Sequence, residues 1–179
     1  EFTRAVCRDH GVKRQSYHFS PIFSEPTSIK TVVHAEGFSE DWLELYRKSD
    51  FRKADPIPAR TYEHGGLLTW RDARVMWPNS ELHETYFKAM DQYDLIHGFG
   101  LPLYGPRGRT AYASFDFGEP LTEVDPSLVS LVRIIAMGGH QRLCNIIDDP
   151  RKRAELSERE SEVLTWMARG KTTREIGSI

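Results

Sequence analysis

The sequence predicts an α/β protein: an α/β/α sandwich on a mainly antiparallel, about five-stranded sheet, followed by the first helices of an all-α helix-turn-helix domain. Three observations carry that expectation. Two alternating runs, 98–104 and 110–117, flank Gly105-Pro-Arg-Gly108, a turn sequence that folds neighbouring strands into a hairpin. Three further short β-type runs lie upstream with helical periodicity around and between them. Beyond a charged, proline-containing stretch at 148–153 the pattern changes to short capped helices without strands.

In chain order, residues 1–10 read as the end of a helix closed by Gly11. Residues 12–19 alternate as a strand, Pro21 and Pro26 mark a loop, and 29–35 is a second, β-branched strand. Ser39 is the expected N-cap of the next helix, with Glu40 and Asp41 in the first turn, where carboxylates are stabilised by the helix dipole. Trp42, Leu43 and Tyr46 form its apolar stripe. The run Asp55-Pro-Ile-Pro58 is expected to break the helical pattern, and 62–66 to turn into a short strand at 67–70. Residues 72–77 suit a helical turn stopped by Pro78. Asn79 or Ser80 caps a helix with Leu82, Tyr86, Phe87, Met90 and Tyr93 on its apolar face.

From 124 to 147 a long helix repeats Leu128, Leu131, Val132, Ile135, Leu143 and Ile146, with Gly138 and Gly139 weakening its middle. Its apolar face is wide enough to be a dimer seam. In the tail, Ser157 and Glu160 have capping-box spacing. Val163, Leu164, Met167 and Ala168 form a stripe expected to be buried. Gly170 ends that helix, and Thr172 or Thr173 caps another, which is the front half of a helix-turn-helix.

A length of 179 residues suits one domain and part of a second: 1–147, a linker at 148–155, and 156–179. With 39% hydrophobic and 28% charged residues a packed core, not disorder, is the expectation. The tail leans basic and the body acidic. Cys7 and Cys144 show neither metal-ligand spacing nor a disulfide framework, which suits a reducing cytoplasm. No apolar run approaches the roughly 20 residues of a membrane span. The start at Glu1-Phe-Thr, without an initiator methionine, reads as the interior of a longer protein. His10, His34, His64 and His83 show no metal spacing and read as surface or core residues. Neither cysteine is given a histidine partner in sequence, so nucleophilic catalysis is not favoured, and no cofactor is expected.

The stretch 42–70 is the candidate site. Trp42 and Tyr46 stand one helical turn apart on one face; Asp55 and Trp70 follow. Two aromatics with polar tips, a carboxylate and a second indole can line a half-polar cavity suited to holding a ligand. Read singly, the aromatics are core residues and Asp55 a turn residue. A buried carboxylate nevertheless needs hydrogen-bond donors, and a ligand amide is one.

Residues 156–176, Leu-Ser-Glu-Arg-Glu-Ser-Glu-Val-Leu-Thr-Trp-Met-Ala-Arg-Gly-Lys-Thr-Thr-Arg-Glu-Ile, resemble the opening of the LuxR-type DNA-binding domain. Trp42, Tyr46, Asp55-Pro56 and Trp70, with Leu101-Pro102-Leu103 and the Gly105–Gly108 turn, resemble the autoinducer-binding domain of quorum-sensing LuxR regulators over about 12–147. The resemblance implies a cytoplasmic transcription factor that binds an N-acyl-homoserine lactone, dimerises, and binds a palindromic promoter element. It implies that Trp42 donates to the lactone carbonyl and Tyr46 to the acyl carbonyl. Asp55 accepts the amide N–H, Trp70 packs on the lactone ring, and Ser114 lies near the amide. Phe38, Tyr86, Phe87, Met90 and Leu95 match or neighbour pocket-lining positions.

Two departures stand out. Ala111, followed by Tyr112, replaces a common glycine and is expected to narrow the pocket; Gly177 replaces a usual alanine. The recognition helix is expected beyond Ile179, so these 179 residues should not bind DNA specifically. The rival readings are a sensor of a non-lactone signal and a lactone or amide hydrolase.

Overall fold

The computed structural model describes residues 2–20 (side chains from residue 5), 31–49, 51–147 and 156–178. The loop expected at Pro21 and Pro26, the first residues of the second strand, and the linker lie outside them. By internal contacts the chain forms two units, 1–144 and 145–179.

The first unit is a five-stranded, fully antiparallel sheet in the order β2-β1-β5-β4-β3. Its strands are β1 (Arg14–Phe19), β2 (Val32–Glu36), β3 (Leu68–Thr69), β4 (Phe99–Tyr104) and β5 (Thr110–Asp116). The expected hairpin joins β4 to β5 through a single 3-10 turn, with Arg107 and Gly108 at positive φ. Side chains alternate across β5. Ala111, Ala113 and Phe115 enter a core with Phe99, Leu101, Leu103 and the helix α7 (Pro126–Ile147), near α1 (Phe2–Asp9). Tyr112 faces the opposite core, built from α2 (Glu40–Lys48), α3 (Phe51–Ala54), α4 (Ile57–His64), α5 (Trp70–Val75) and α6 (Glu81–Gln92). Two helical layers on one sheet are the sandwich the sequence predicts.

Capping follows expectation where it is local. Ser39 caps α2 through the Trp42 amide, and Ser80 caps α6 in a box with His83. The expectation holds only in part at 55–66. The break expected at Asp55-Pro56 is present, α3 ending at Ala54, but a helix the sequence reading missed follows at once: Pro58 lies in the first turn of α4, where a proline lacks only an N–H that has no helical acceptor. Asp55 Oδ1 accepts the Ile57 amide at 2.9 Å and closes the junction. The expected turn at 62–66 is the end of that helix, closed by Gly65 at φ +77. Trp70 is not in the strand but opens α5 behind the Thr69 cap. Leu82, expected on the apolar face of α6, is 51% exposed, since it sits in the first turn beyond the reach of the core.

In the second unit, α8 (Glu158–Ala168) and α9 (Thr173–Ile176) are capped by Ser157 and Thr172, each in a complete capping box. The stripe expected to be buried is not: Leu164 is 49% and Met167 53% exposed. Eleven and four residues of helix cannot enclose a core, and Ile176 is the buried apolar residue among those described there.

Candidate functional site

Between the sheet and the α2–α6 layer lies a small cavity of about 60 Å³. Of the residues singled out from sequence, Phe38, Trp42, Tyr46, Asp55, Trp70, Tyr86, Met90, Leu95 and Ser114 all line it. Phe87 does not. It is buried on the far side of α6, under the guanidinium groups of Arg60 and Arg74. Neighbours on a helix one residue apart diverge by about 100°, so Tyr86 and Phe87 cannot share a target.

The cavity has two polar regions. One is Asp55, 5% exposed. Its carboxylate accepts the Ile57 amide and, at 3.1 Å, the Tyr46 hydroxyl; the Tyr86 hydroxyl also faces it. Burial outweighs these donors and pushes the Asp55 pKa up from 3.8 to about 6. Trp42 packs against Tyr46, Phe51, Tyr86 and Tyr93. Among the described residues its indole N–H takes no acceptor, and it is not sealed in the core, where the Tyr62 hydroxyl is the one buried side-chain polar atom left without a partner. A buried carboxylate with a raised pKa beside an unused donor is a site prepared for a neutral ligand carrying both an N–H and a carbonyl.

The pKa gives a stability prediction. Between about pH 4 and 6 the folded chain binds the Asp55 proton more tightly than the unfolded chain does. Its contribution to stability is therefore highest in acid. Ionisation removes on the order of 3 kcal/mol as pH rises through 6. Denaturant titrations of wild type and Asp55→Asn across pH 4–7 check this: the asparagine variant should lose that part of the slope.

The second region is the sheet floor. Trp70 hydrogen-bonds Tyr112, and Tyr112 hydrogen-bonds Ser114. Ser114 Oγ lies 2.7 Å from Ser16 Oγ, and Ser16 Oγ 3.0 Å from His18 Nε2. Burial, helped by the Arg52 charge, lowers the His18 pKa to about 4, so the ring is neutral. Sequence reasoning missed Ser16 and His18. Their spacing of two on a strand paired with the Ser114 strand was the available signal, but the register Ser16↔Ser114 was not. The expectation that Ala111 narrows the pocket also fails. Ala111 faces the α7 core, and it is Tyr112 that occupies cavity wall.

Trp70 is positioned by glycine. Its amide donates to Gly98 O at 2.8 Å, and a Cβ on Gly98 would come within 2.5 Å of the indole ring. Gly98→Ala is expected to push Trp70 into the cavity and cost about 1–3 kcal/mol, read by chemical denaturation.

The structure also brings together a pair that the sequence reading overlooked. His140 and Cys144 stand one turn apart on α7, with Nε2 3.6 Å from Sγ. They lie on the other side of the sheet from the cavity of Asp55, since neither lines it.

Two family matches bear on this geometry. Residues 1–143 match the autoinducer binding domain and residues 154–179 the luxR family of bacterial regulatory proteins. The chain belongs to the LuxR family. It is 25% identical to the transcriptional activator protein EchR of Dickeya chrysanthemi over 162 residues, covering 83% of this chain and 64% of that one. It is 26% identical to the quorum sensing-dependent regulator RpaR of Rhodopseudomonas palustris over 165 residues, 92% and 67% of the two chains. The chain thus spans about two thirds of the length of these LuxR-type relatives. Among solved structures, Escherichia coli SdiA superposes with a TM-score of 0.64 at 20% identity, over 98% of this chain and 72% of that one. CepR2 of Burkholderia cenocepacia, an N-acylhomoserine lactone dependent LuxR family factor, gives 0.55 at 15% identity over 77% of each chain. These neighbours share the sandwich fold.

Proposed function

We propose that this chain is the sensing part of a transcriptional regulator, and that it holds an N-acyl-homoserine lactone in the cavity beside Asp55. The observation that carries this reading is the pairing of the acceptorless Trp42 indole with the buried Asp55 carboxylate and the Tyr46 phenol. The ligand amide N–H donates to Asp55 in place of the Tyr46 hydroxyl, which turns its one proton to the acyl carbonyl; Trp42 donates to the lactone carbonyl, and Trp70 covers the ring. Phe38, Met90 and Leu95 supply apolar wall, and Ser114 stands near the amide. Phe87 acts only by packing behind Tyr86.

A ligand that completes a core stabilises the fold by mass action, about 2.7 kcal/mol at a hundredfold excess over Kd. A thermal-shift series with lactones of graded acyl length should raise Tm by roughly 5–10 °C for the best of them. Because an amide donor favours ionised Asp55, binding should release a proton near pH 6 and be roughly tenfold stronger at pH 7 than at pH 5. Absence of any response across the series would remove the lactone reading. SdiA has been solved in complex with octanoyl-rac-glycerol, a non-lactone. A monoacylglycerol belongs in the same series, and a response to it alone would favour the second reading, a non-lactone sensor.

The same proposal assigns sensing and dimerisation to 1–147, a linker to 148–155 and the start of the DNA-binding domain to 156–179, in a cytoplasmic homodimer. The exposed Ile134 and Met137 on α7 support the dimer seam. Promoter DNA is a partner of the full-length protein; α8 and α9 alone should not retain a duplex selectively. No catalysis is proposed. Ser16 and His18 resemble a nucleophile and base, but a histidine with pKa about 4 is a weak base at neutral pH. Lactone incubated with the protein should be recovered intact.

A further inference from the structure

We propose a second small-molecule site on the opposite face of the sheet, in the cleft between β1, β4, β5 and α7, for an uncharged molecule with an apolar body and one hydrogen-bond-donating head. This goes beyond the lactone reading and does not depend on it. The cleft has a volume of about 340 Å³, against about 60 Å³ for the cavity of Asp55. Its cause is visible in the sequence: Ala113 on β5 faces Ala136 and Gly139 on α7, and small residues on both walls leave a gap that side chains do not fill. Leu103, Phe115 and Leu143 make the rest of the apolar wall.

One corner is polar and buried. His140 is 2% exposed, with Nδ1 2.8 Å from the Tyr17 hydroxyl and Nε2 3.4 Å from the Arg109 carbonyl. With the proton on Nε2, where the Arg109 carbonyl can accept it, Nδ1 accepts from Tyr17. That leaves the lone pairs of the Tyr17 oxygen for a ligand hydroxyl or N–H. Among the described lining residues there is no Asp, Glu, Lys or Arg, and burial disfavours the charged form of both His140 and Tyr17. A cationic head would therefore meet no carboxylate and an anionic one no Lys or Arg, whereas a neutral one loses little; the other polar residues of the lining are Gln15, Ser16 and the exposed His34. A cleft of this size, mostly apolar with a few convergent polar groups, is the usual form of a small-molecule site.

N-phenyl-1-naphthylamine, neutral and apolar with a single N–H donor, is a suitable probe. It would be titrated into methyl-labelled wild-type protein with and without saturating lactone. The expected result is shifts at the methyls of Leu103, Ala113, Ala136 and Leu143 under both conditions. Ala136→Phe should weaken this binding at least tenfold, and Tyr17→Phe, which adds no bulk, several-fold. Shifts confined to Ala35, Leu43, Met90 and Leu95, or no shifts at all, would overturn the proposal. The wild-type map decides the matter even where Ala136→Phe fails to fold. A protein that ignores lactone but shows the α7 pattern would sink the lactone reading and leave this one standing.

Discussion

Asp55→Asn is expected to lower affinity for an N-acyl-homoserine lactone by roughly 10- to 100-fold at pH 7, the difference between a charge-assisted and a neutral hydrogen bond in a buried site. The substitution is nearly isosteric. An asparagine Oδ1 can still accept from the Ile57 amide, so α4 should keep its junction with the preceding helix, while its NH2 group takes the place of Oδ2 and donates to the Tyr46 oxygen. What is lost is the negative charge that burial holds at a pKa of about 6. Two outcomes follow together: weaker binding at pH 7, and disappearance of the gain in affinity between pH 5 and 7. Calorimetric titration at both pH values checks them. A variant that bound lactone as well as wild type, with the same pH dependence, would show that Asp55 is a structural turn residue only.

Arg60→Met is expected to cost about 3 kcal/mol or more of stability, the largest single effect in the fold outside the cavity. Arg60 is 5% exposed and threads between α4 and the α5–α6 connection. It donates to the Ala73 carbonyl at 2.6 Å, to the Pro78 carbonyl and Asn79 Oδ1 at 2.8 Å each, and contacts His83 Nδ1 at 3.2 Å. The guanidinium carbon lies 5.9 Å from the ring centres of both Trp77 and Phe87. Methionine fills part of the volume but leaves those acceptors buried without donors. Lysine should not rescue it, because one ammonium cannot reach acceptors spread around a planar fork. Urea denaturation reads the loss, and a cost under 1 kcal/mol would contradict it. Because α5 carries Trp70, the variant should also bind ligand less tightly.

Arg60 shows why part of the structure was not legible in the sequence. Its partners lie 13 to 23 residues away and two of the four are backbone carbonyls, which carry no side-chain signature. Local features were legible: Ser39, Ser80, Ser157 and Thr172 cap their helices because a cap needs only its own three or four neighbours. The site aromatics and Asp55 were also legible, through their spacing and family resemblance. The break at Pro56 was legible but the helix that begins straight after it was not, because the same residue that ends one helix is favoured in the first turn of the next. Ser16, His18 and Tyr112 depend on strand register, and register is a property of the folded sheet. His140 and Cys144 were in plain helical spacing, but only the packing of α7 shows that Tyr17 meets them.

The most direct test of the central claim is the indole N–H resonance of Trp42, followed in ¹⁵N-labelled protein as lactone is added. The account predicts a downfield shift of that one resonance as an acceptor reaches it, saturating with the same Kd that calorimetry gives and weakening below pH 6. A lactone that binds by calorimetry yet leaves the Trp42 N–H where it began would contradict it.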